Sequence, residues 1–279
     1  MRLIELSDAN SFLSRANNFL LRSEAENNLL LSSAITLARG SFPRSPRLSF
    51  FVVEENGRVT CAGLNAAERR LLLSTSDPEP AQFLGQELAG RSAKVKGVLG
   101  PVPSAQAFCD AFTTAQGKNK EPRLLQRVMR LESLQPQAKM APGLIRVAKE
   151  KDLKLLLKWS RQFVEECELE ETREETEELV KRYLENRQLF VWEDNRVVAM
   201  AGYGGSTPSG VRVNMVYTDP AARARGYAGS LVYLLSRKLL SDGHKHCYLF
   251  VEQSNVAANR IYERLGYRAM GDFTEYRFI

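Results

Sequence analysis

Apolar positions along the chain switch between strand-like runs and helix-like spacing, and they do so in the same order twice. Residues 3–6 predict a short strand, and Ser7 is the expected cap of a helix carrying Phe12, Leu13, Phe19 and Leu20. A second helix is expected around residues 24–37. The run Phe51-Val52-Val53-Glu54-Glu55-Asn56, a polar turn, and an Arg-Val step leading to Ala62-Gly63 read as a β-hairpin. A strand near 70–74, a helix near 80–88, a strand near 95–99, a helix at 104–115 and a strand at 124–131 follow.

Residues 134–142, LQPQAKMAP, hold no period and carry Pro136 and Pro142, so they predict a linker. Beyond it the pattern repeats. A strand at 144–147 precedes helices near 152–164 and 174–185. The run Phe190-Val191-Trp192-Glu193-Asp194-Asn195 then answers the first hairpin, again with an Arg-Val step and Ala201-Gly202. A strand at 211–217, a helix at 227–241, a strand at 247–251, a helix at 256–265 and a terminal hairpin complete it. The expected boundaries are residues 1–134, a linker at 135–142, and residues 143–279.

At 279 residues the chain is long enough for two such α/β domains, and its 44% hydrophobic and 26% charged content is that of a globular protein. Cys61, Cys109, Cys167 and Cys247 form no CxxC pair, which disfavours a disulfide framework or zinc site and fits a reducing compartment. His244 and His246 have only Cys247 beside them, so no metal is expected. Acidic Glu5 and Asp8 interrupt any signal-peptide core, and no apolar run is long enough to span a bilayer. A cytoplasmic protein is therefore expected. The net charge of +6 suits anionic partners, but its dispersal argues against nucleic acid.

The chemistry concentrates after the fourth strand of the second half. Asp219-Pro220 stops strand pairing, and Arg223-Ala224-Arg225-Gly226-Tyr227-Ala228-Gly229-Ser230 leads into a helix with Leu231, Leu234, Leu235, Leu239 and Leu240 on one side. Small residues before a helix N-terminus expose backbone N–H groups, and the helix dipole favours an anion such as pyrophosphate, with Arg223 and Arg225 adding charge. A glycine-softened turn with solvated arginines is the plain alternative. Further on, Asn255 is an expected N-cap for a helix carrying Ala258, Ile261, Tyr262 and Leu265, which Gly266 would stop.

Arg-x-x-Gly-x-Ala at 223–228, followed by Asn-x-x-Ala-x-x-x-Tyr-x-x-x-Gly-Tyr at 255–267, resembles the GNAT N-acetyltransferase family. The resemblance covers residues 144–279 in element order. It implies a tandem α/β (α+β) architecture, each domain a mixed, mostly antiparallel sheet flanked by helices, the first a degenerate copy. It also implies acetyl-CoA as co-substrate. Val216, Tyr217 and Thr218 would contact pantetheine on a strand that splays from its neighbour, and Arg223, Ala224, Arg225, Gly226, Tyr227, Ala228, Gly229 and Ser230 would hold the pyrophosphate. Asn255 matches the family's cofactor-contacting asparagine, and Tyr262 the tyrosine that protonates the departing thiolate.

The resemblance does not name the general base. The strand offers Asn214 and Asp219, and Glu252, Glu165 and Glu166 are further candidates. The acceptor would be a primary amine on a small molecule or peptide, drawn by the glutamates between 165 and 178, which are otherwise a solvated helix face. A non-catalytic acyl-CoA sensor is the alternative. The first half has Ser74-Thr75-Ser76-Asp77-Pro78-Glu79-Pro80 where the motif would fall, and Phe108 and Phe112 but no tyrosine in its last helix.

Overall fold

The computed structural model describes residues 1–40, 48–66, 69–91, 93–137 and 139–279; Ala138 of the expected linker lies outside them. They fall into two compact units, Met1–Val128 with Met270–Ile279, and Met129–Ala269. Each is a mostly antiparallel sheet flanked by helices.

The first unit comprises β1 (Arg2–Leu6), α1 (Ala9–Arg22), α2 (Asn28–Ala38), β2 (Leu48–Glu55), β3 (Arg58–Ala66), β4 (Leu71–Leu73), α3 (Pro78–Gly90), β5 (Gly97–Pro101), α4 (Val102–Gln116) and most of β6 (Lys120–Leu131). β1 to β4 pair antiparallel in sequence order, and β4 pairs parallel with β5. Helices cover both faces, which explains why β2 carries four consecutive apolar residues, Phe50 to Val53. Phe50 and Val52 pack with Phe12 and Leu31 on one side, while Phe51 and Val53 pack with Leu84 and Phe108 on the other. The turn between β2 and β3 places Asn56 at φ 51° and Gly57 at φ 75°, the paired left-handed residues of a tight hairpin.

The second unit comprises β7 (Leu144–Val147), α5 (Leu153–Glu166), α6 (Arg173–Glu185), β8 (Leu189–Asp194), β9 (Arg196–Gly204), β10 (Gly210–Thr218), α7 (Tyr227–Ser241), β11 (His246–Glu252) and α8 (Val256–Leu265), followed by the start of β12 (Arg268–Phe278). β8 again feeds two cores: Phe190 and Trp192 pack with α7, and Leu189 and Val191 pack with α5 and α6. The segment before β7 is irregular but anchored. Ala141 N–H donates to Ser230 Oγ at 2.8 Å, and Trp192 Nε1 donates to the Pro142 carbonyl at 2.7 Å.

Three expectations are corrected. Asp8, not Ser7, caps α1, accepting from Ser11 N–H at 2.9 Å, because a carboxylate one residue later reaches the same orphan amides. The second helix begins at Asn28, after a turned segment. The expected terminal hairpin is one long strand, β12, whose residues from Phe273 onward pair antiparallel with β5 of the first unit. Close backbone approach explains the glycines there: a Cβ on Gly97 would lie 2.3 Å from the Tyr276 carbonyl.

Candidate functional site

The site is built around β10. Its parallel pairing with β11 covers only Gly210 with His246, Val211 with Cys247 and Arg212 with Tyr248, although β10 runs on to Thr218 and β11 to Glu252. Beyond Arg212 the strands part, so β10 backbone groups facing that gap leave the ladder. On its other edge β10 follows β9, with a bulge between Asn214 and Tyr217 and Met215 at φ 51°. The bulge changes which residues face which layer. Val211 and Val213 lie in the α7 core, but Met215 and Tyr217 lie in the α5 and α6 core. Val216 packs partly buried on the α7 side.

The strand ends in a short 3-10 turn at Pro220–Ala222, capped by Asp219, which accepts from Ala221 N–H and from Arg196. Ala224 then takes φ 62° and Gly226 φ 82°, and α7 begins at Tyr227. The first bond of this helix runs from Ser230 N–H to the Gly226 carbonyl at 3.0 Å. The amides from Gly226 to Gly229 precede it and have no intrahelical acceptor. A Cβ on Gly226 would meet nothing within 4 Å, so the space beside this residue is open. Donors, dipole and room together fit a pyrophosphate.

The side chains of the motif are committed elsewhere. Arg223 Nη2 donates to both Glu166 carboxylate oxygens, at 2.9 and 2.8 Å, and its Nε to the Thr218 carbonyl at 3.1 Å. Tyr227 is buried and donates to Asp194 Oδ2 at 2.5 Å; this bond and burial raise its pKa, with Arg225 opposing them. Ser230 has its N–H in the helix and its hydroxyl on Ala141. Arg223, Tyr227 and Ser230 thus spend side-chain groups within the protein, and the backbone amides before α7 are the donors the loop offers.

Asn255 caps α8, its Oδ1 accepting from Ala258 N–H at 3.0 Å. Tyr262, on the same helix, is buried, with its ring 5.9 Å from that of Tyr267. Burial, and secondarily Cys167, push its phenol pKa well up, so it carries its proton at neutral pH. Burial also raises the Cys167 thiol, at the end of α5, to about 11, helped by the carboxylates of Glu252, Glu166 and Glu171. These acids and Tyr262 therefore share the neighbourhood of Cys167.

Features that sequence reasoning missed lie beside these. Asn259 is buried and donates to the carbonyls of Glu252 and Asn255 at 2.9 and 2.8 Å, fixing the turn from β11 into α8. Its signal was a polar residue one turn before Tyr262 on an otherwise apolar face. Tyr183 lies flat on β9: a Cβ on Gly202 or Gly204 would come within 2.9 or 2.3 Å of it. Its hydroxyl accepts from Asn214 Nδ2 at 2.8 Å, while the buried Asn214 Oδ1 has no partner. The acidic stretch is largely helix chemistry. Thr172 and Glu175 form a capping box, and Arg173 pairs with Glu177 one turn on.

In the first unit the corresponding strands stay closed. Leu71 and Leu72 of β4 pair with Val98 and Leu99 of β5, and a Cβ on Gly100 would sit 2.9 Å from Leu73 Cβ. The loop after β4 is stitched down: Thr75 N–H donates to Asn27 Oδ1 at 2.8 Å, and Ser76 N–H to the buried Ser104 hydroxyl at 3.0 Å. Two amides of this loop are thus already spent on side chains.

Residues 153–267 match the family model described as Acetyltransferase (GNAT) family. This stretch is a GNAT-family domain. No curated protein matches the chain. Among solved structures, an acetyltransferase from the GNAT family from Colwellia psychrerythraea superposes with a TM-score of 0.62 at 13% identity, over 100% of both chains. A Drosophila protein reaches 0.68 at 16% identity, covering 99% of this chain and 98% of its own. A tandem GNAT protein from the clavulanic acid biosynthesis pathway reaches 0.54 at 12% identity, over 100% and 98%. These are likenesses of fold, and they cover both halves of the chain. The family acts by acyl transfer from acyl-CoA to amines. Among the described residues no cluster of His, Cys, Asp or Glu is arranged to hold a metal, and no helix is long and apolar enough to cross a membrane.

Proposed function

We propose that the second unit transfers an acetyl group from acetyl-CoA to a primary amine of a small molecule or peptide, and that the first unit is a degenerate copy that takes no CoA. The observation that carries this reading is the parting of β10 from β11 on the strand that leads to a loop whose amides have no intrahelical acceptor.

Acetyl-CoA supplies an activated thioester to the amine. The backbone of Val216, Tyr217 and Thr218, at the parted strand edge, would pair with the pantetheine amides, with the Thr218 carbonyl shared with Arg223. The amides of Ala224 to Gly229 would receive the pyrophosphate, and Asn255 would border the cofactor from the start of α8. A backbone N–H at the Asn214–Tyr217 bulge would donate to the acyl oxygen as charge develops on it. Tyr262 would hydrogen-bond the departing sulfur. Because a buried phenol holds its proton more tightly than a thiol, it stabilises the thiolate chiefly by donating that bond.

The amine must lose a proton before it attacks, and Glu252 and Glu166, whose charges act on Cys167, are the carboxylates offered to receive it, directly or through water. The second reading, a non-catalytic acyl-CoA sensor, draws on Asn214: the bulged strand presents an amide, which cannot act as a base. Thiol release from acetyl-CoA, followed over a panel of primary amines, separates the two. Amine-dependent release supports the enzyme, and tight binding without release supports the sensor.

A further inference from the structure

The Arg223–Glu166 pair has a consequence for ligand binding at the loop. Both carboxylate oxygens of Glu166 are held by one guanidinium nitrogen, Arg223 Nη2. The guanidinium also lies 5.3 Å from the Tyr217 ring centroid, and Tyr217 Oη is 3.3 Å from Glu166 Oε1 and from Gln162 Oε1. Tyr217 is itself fixed, buried with its ring 5.8 Å from that of Trp159. The cluster therefore ties the first residue of the phosphate loop to the end of α5. Arg223 and Glu166 are each about half exposed, at 45% and 46%, and such pairs exchange partners easily.

We propose that Glu166 competes with the CoA pyrophosphate for Arg223, so that it weakens CoA binding at the loop and favours release of the spent cofactor. The inference rests on the CoA-binding reading of the second unit. A pyrophosphate over the amides of Gly226 to Gly229 would draw the Arg223 guanidinium, and the Glu166 carboxylate opposes this by holding Nη2 and neutralising the charge. The carboxylate left behind is then available to a cation, and the acceptor supplies one as its ammonium. Glu166 is thus a positioning residue, holding Arg223 until the cofactor takes it.

The test is calorimetric titration of the full chain with CoA at low salt, for wild type, Glu166→Gln, Arg223→Gln and the double variant, each checked by thermal unfolding. Glutamine keeps the shape of Glu166 and removes its charge. Glu166→Gln is expected to tighten CoA by about 2- to 5-fold, the worth of an exposed ion pair. Arg223→Gln is expected to weaken CoA, and Glu166→Gln is expected to add nothing in the Arg223→Gln background. Raising salt should shrink the gain. A Glu166→Gln protein that binds CoA as wild type or more weakly overturns the proposal, as does an equal gain with Arg223 absent. If neither wild type nor Glu166→Gln binds CoA at all, the CoA-binding reading fails, and this inference with it.

Discussion

Arg212 and Tyr248 are the last pair of residues at which β10 and β11 stay side by side, and the Arg223–Gly229 loop follows the end of the parted β10. In the first unit the matching strands meet at Leu72 and Leu99, and Gly100 lets Leu73 close in behind them. One such parting among the described residues predicts one CoA per chain. Isothermal titration should give a stoichiometry near one, and a value near two would show that the first unit also binds.

Glycine is required at 226 but not at 229. Gly226 sits at φ 82° as the N-cap of α7, where any Cβ strains the backbone. Gly226→Ala should lower stability by about 1 kcal/mol and weaken acetyl-CoA binding. At Gly229 a Cβ would meet only Ile261 Cγ2, at an ordinary 3.6 Å. Gly229→Ala should hold or raise the melting temperature, since alanine favours a helix by roughly 0.5–1 kcal/mol over glycine. Thermal unfolding of the two variants checks the contrast.

Tyr262→Phe removes the hydroxyl and leaves the ring that packs against Tyr267. Turnover should fall by about 100-fold or more while acetyl-CoA affinity stays within about 2-fold. Full activity in this variant would remove Tyr262 from the reaction and reduce it to a core residue.

The entry to α5 carries a buried ion pair. Arg146 Nη1 and Nη2 lie 2.6 and 3.0 Å from the two Asp152 carboxylate oxygens, and Arg146 also pairs with Glu193. Burial alone would raise the Asp152 pKa, but Arg146 and the Lys149 N–H outweigh it and hold it below the usual value. A lowered folded pKa gives stability that is present above the unfolded pKa and lost as pH falls through the folded one. Asp152→Asn should therefore cost about 2–4 kcal/mol at neutral pH and flatten the acid limb of the stability curve. Denaturant titrations between neutral and acidic pH read both effects.

Most elements were legible because each strand and helix buries a face, so apolar spacing marks it directly. The Val256–Leu265 helix follows from Asn255 and Gly266, whose local conformations need those residues. The last strand was misread because its partner β5 lies more than a hundred and fifty residues earlier, and no local pattern encodes that pairing. At the site, the glycine loop was visible as small residues before a helix. The bulge at Met215 was not, since any residue can be bulged when neighbouring strands impose it. The motif suggested that the Arg223 and Arg225 charges would serve an anion. The engagement of Arg223 with Glu166 depends on a side chain brought from α5, which spacing along the chain cannot report.

Calorimetric titration of the intact protein with acetyl-CoA, beside a variant carrying Arg223→Glu and Gly226→Asp, tests the central claim most directly. Saturable binding by the intact protein that disappears in the variant, with both proteins folded by thermal unfolding, is the predicted result. Absence of binding by the intact protein, or equal binding by the variant, would contradict the assignment of the Arg223–Gly229 loop as the cofactor site.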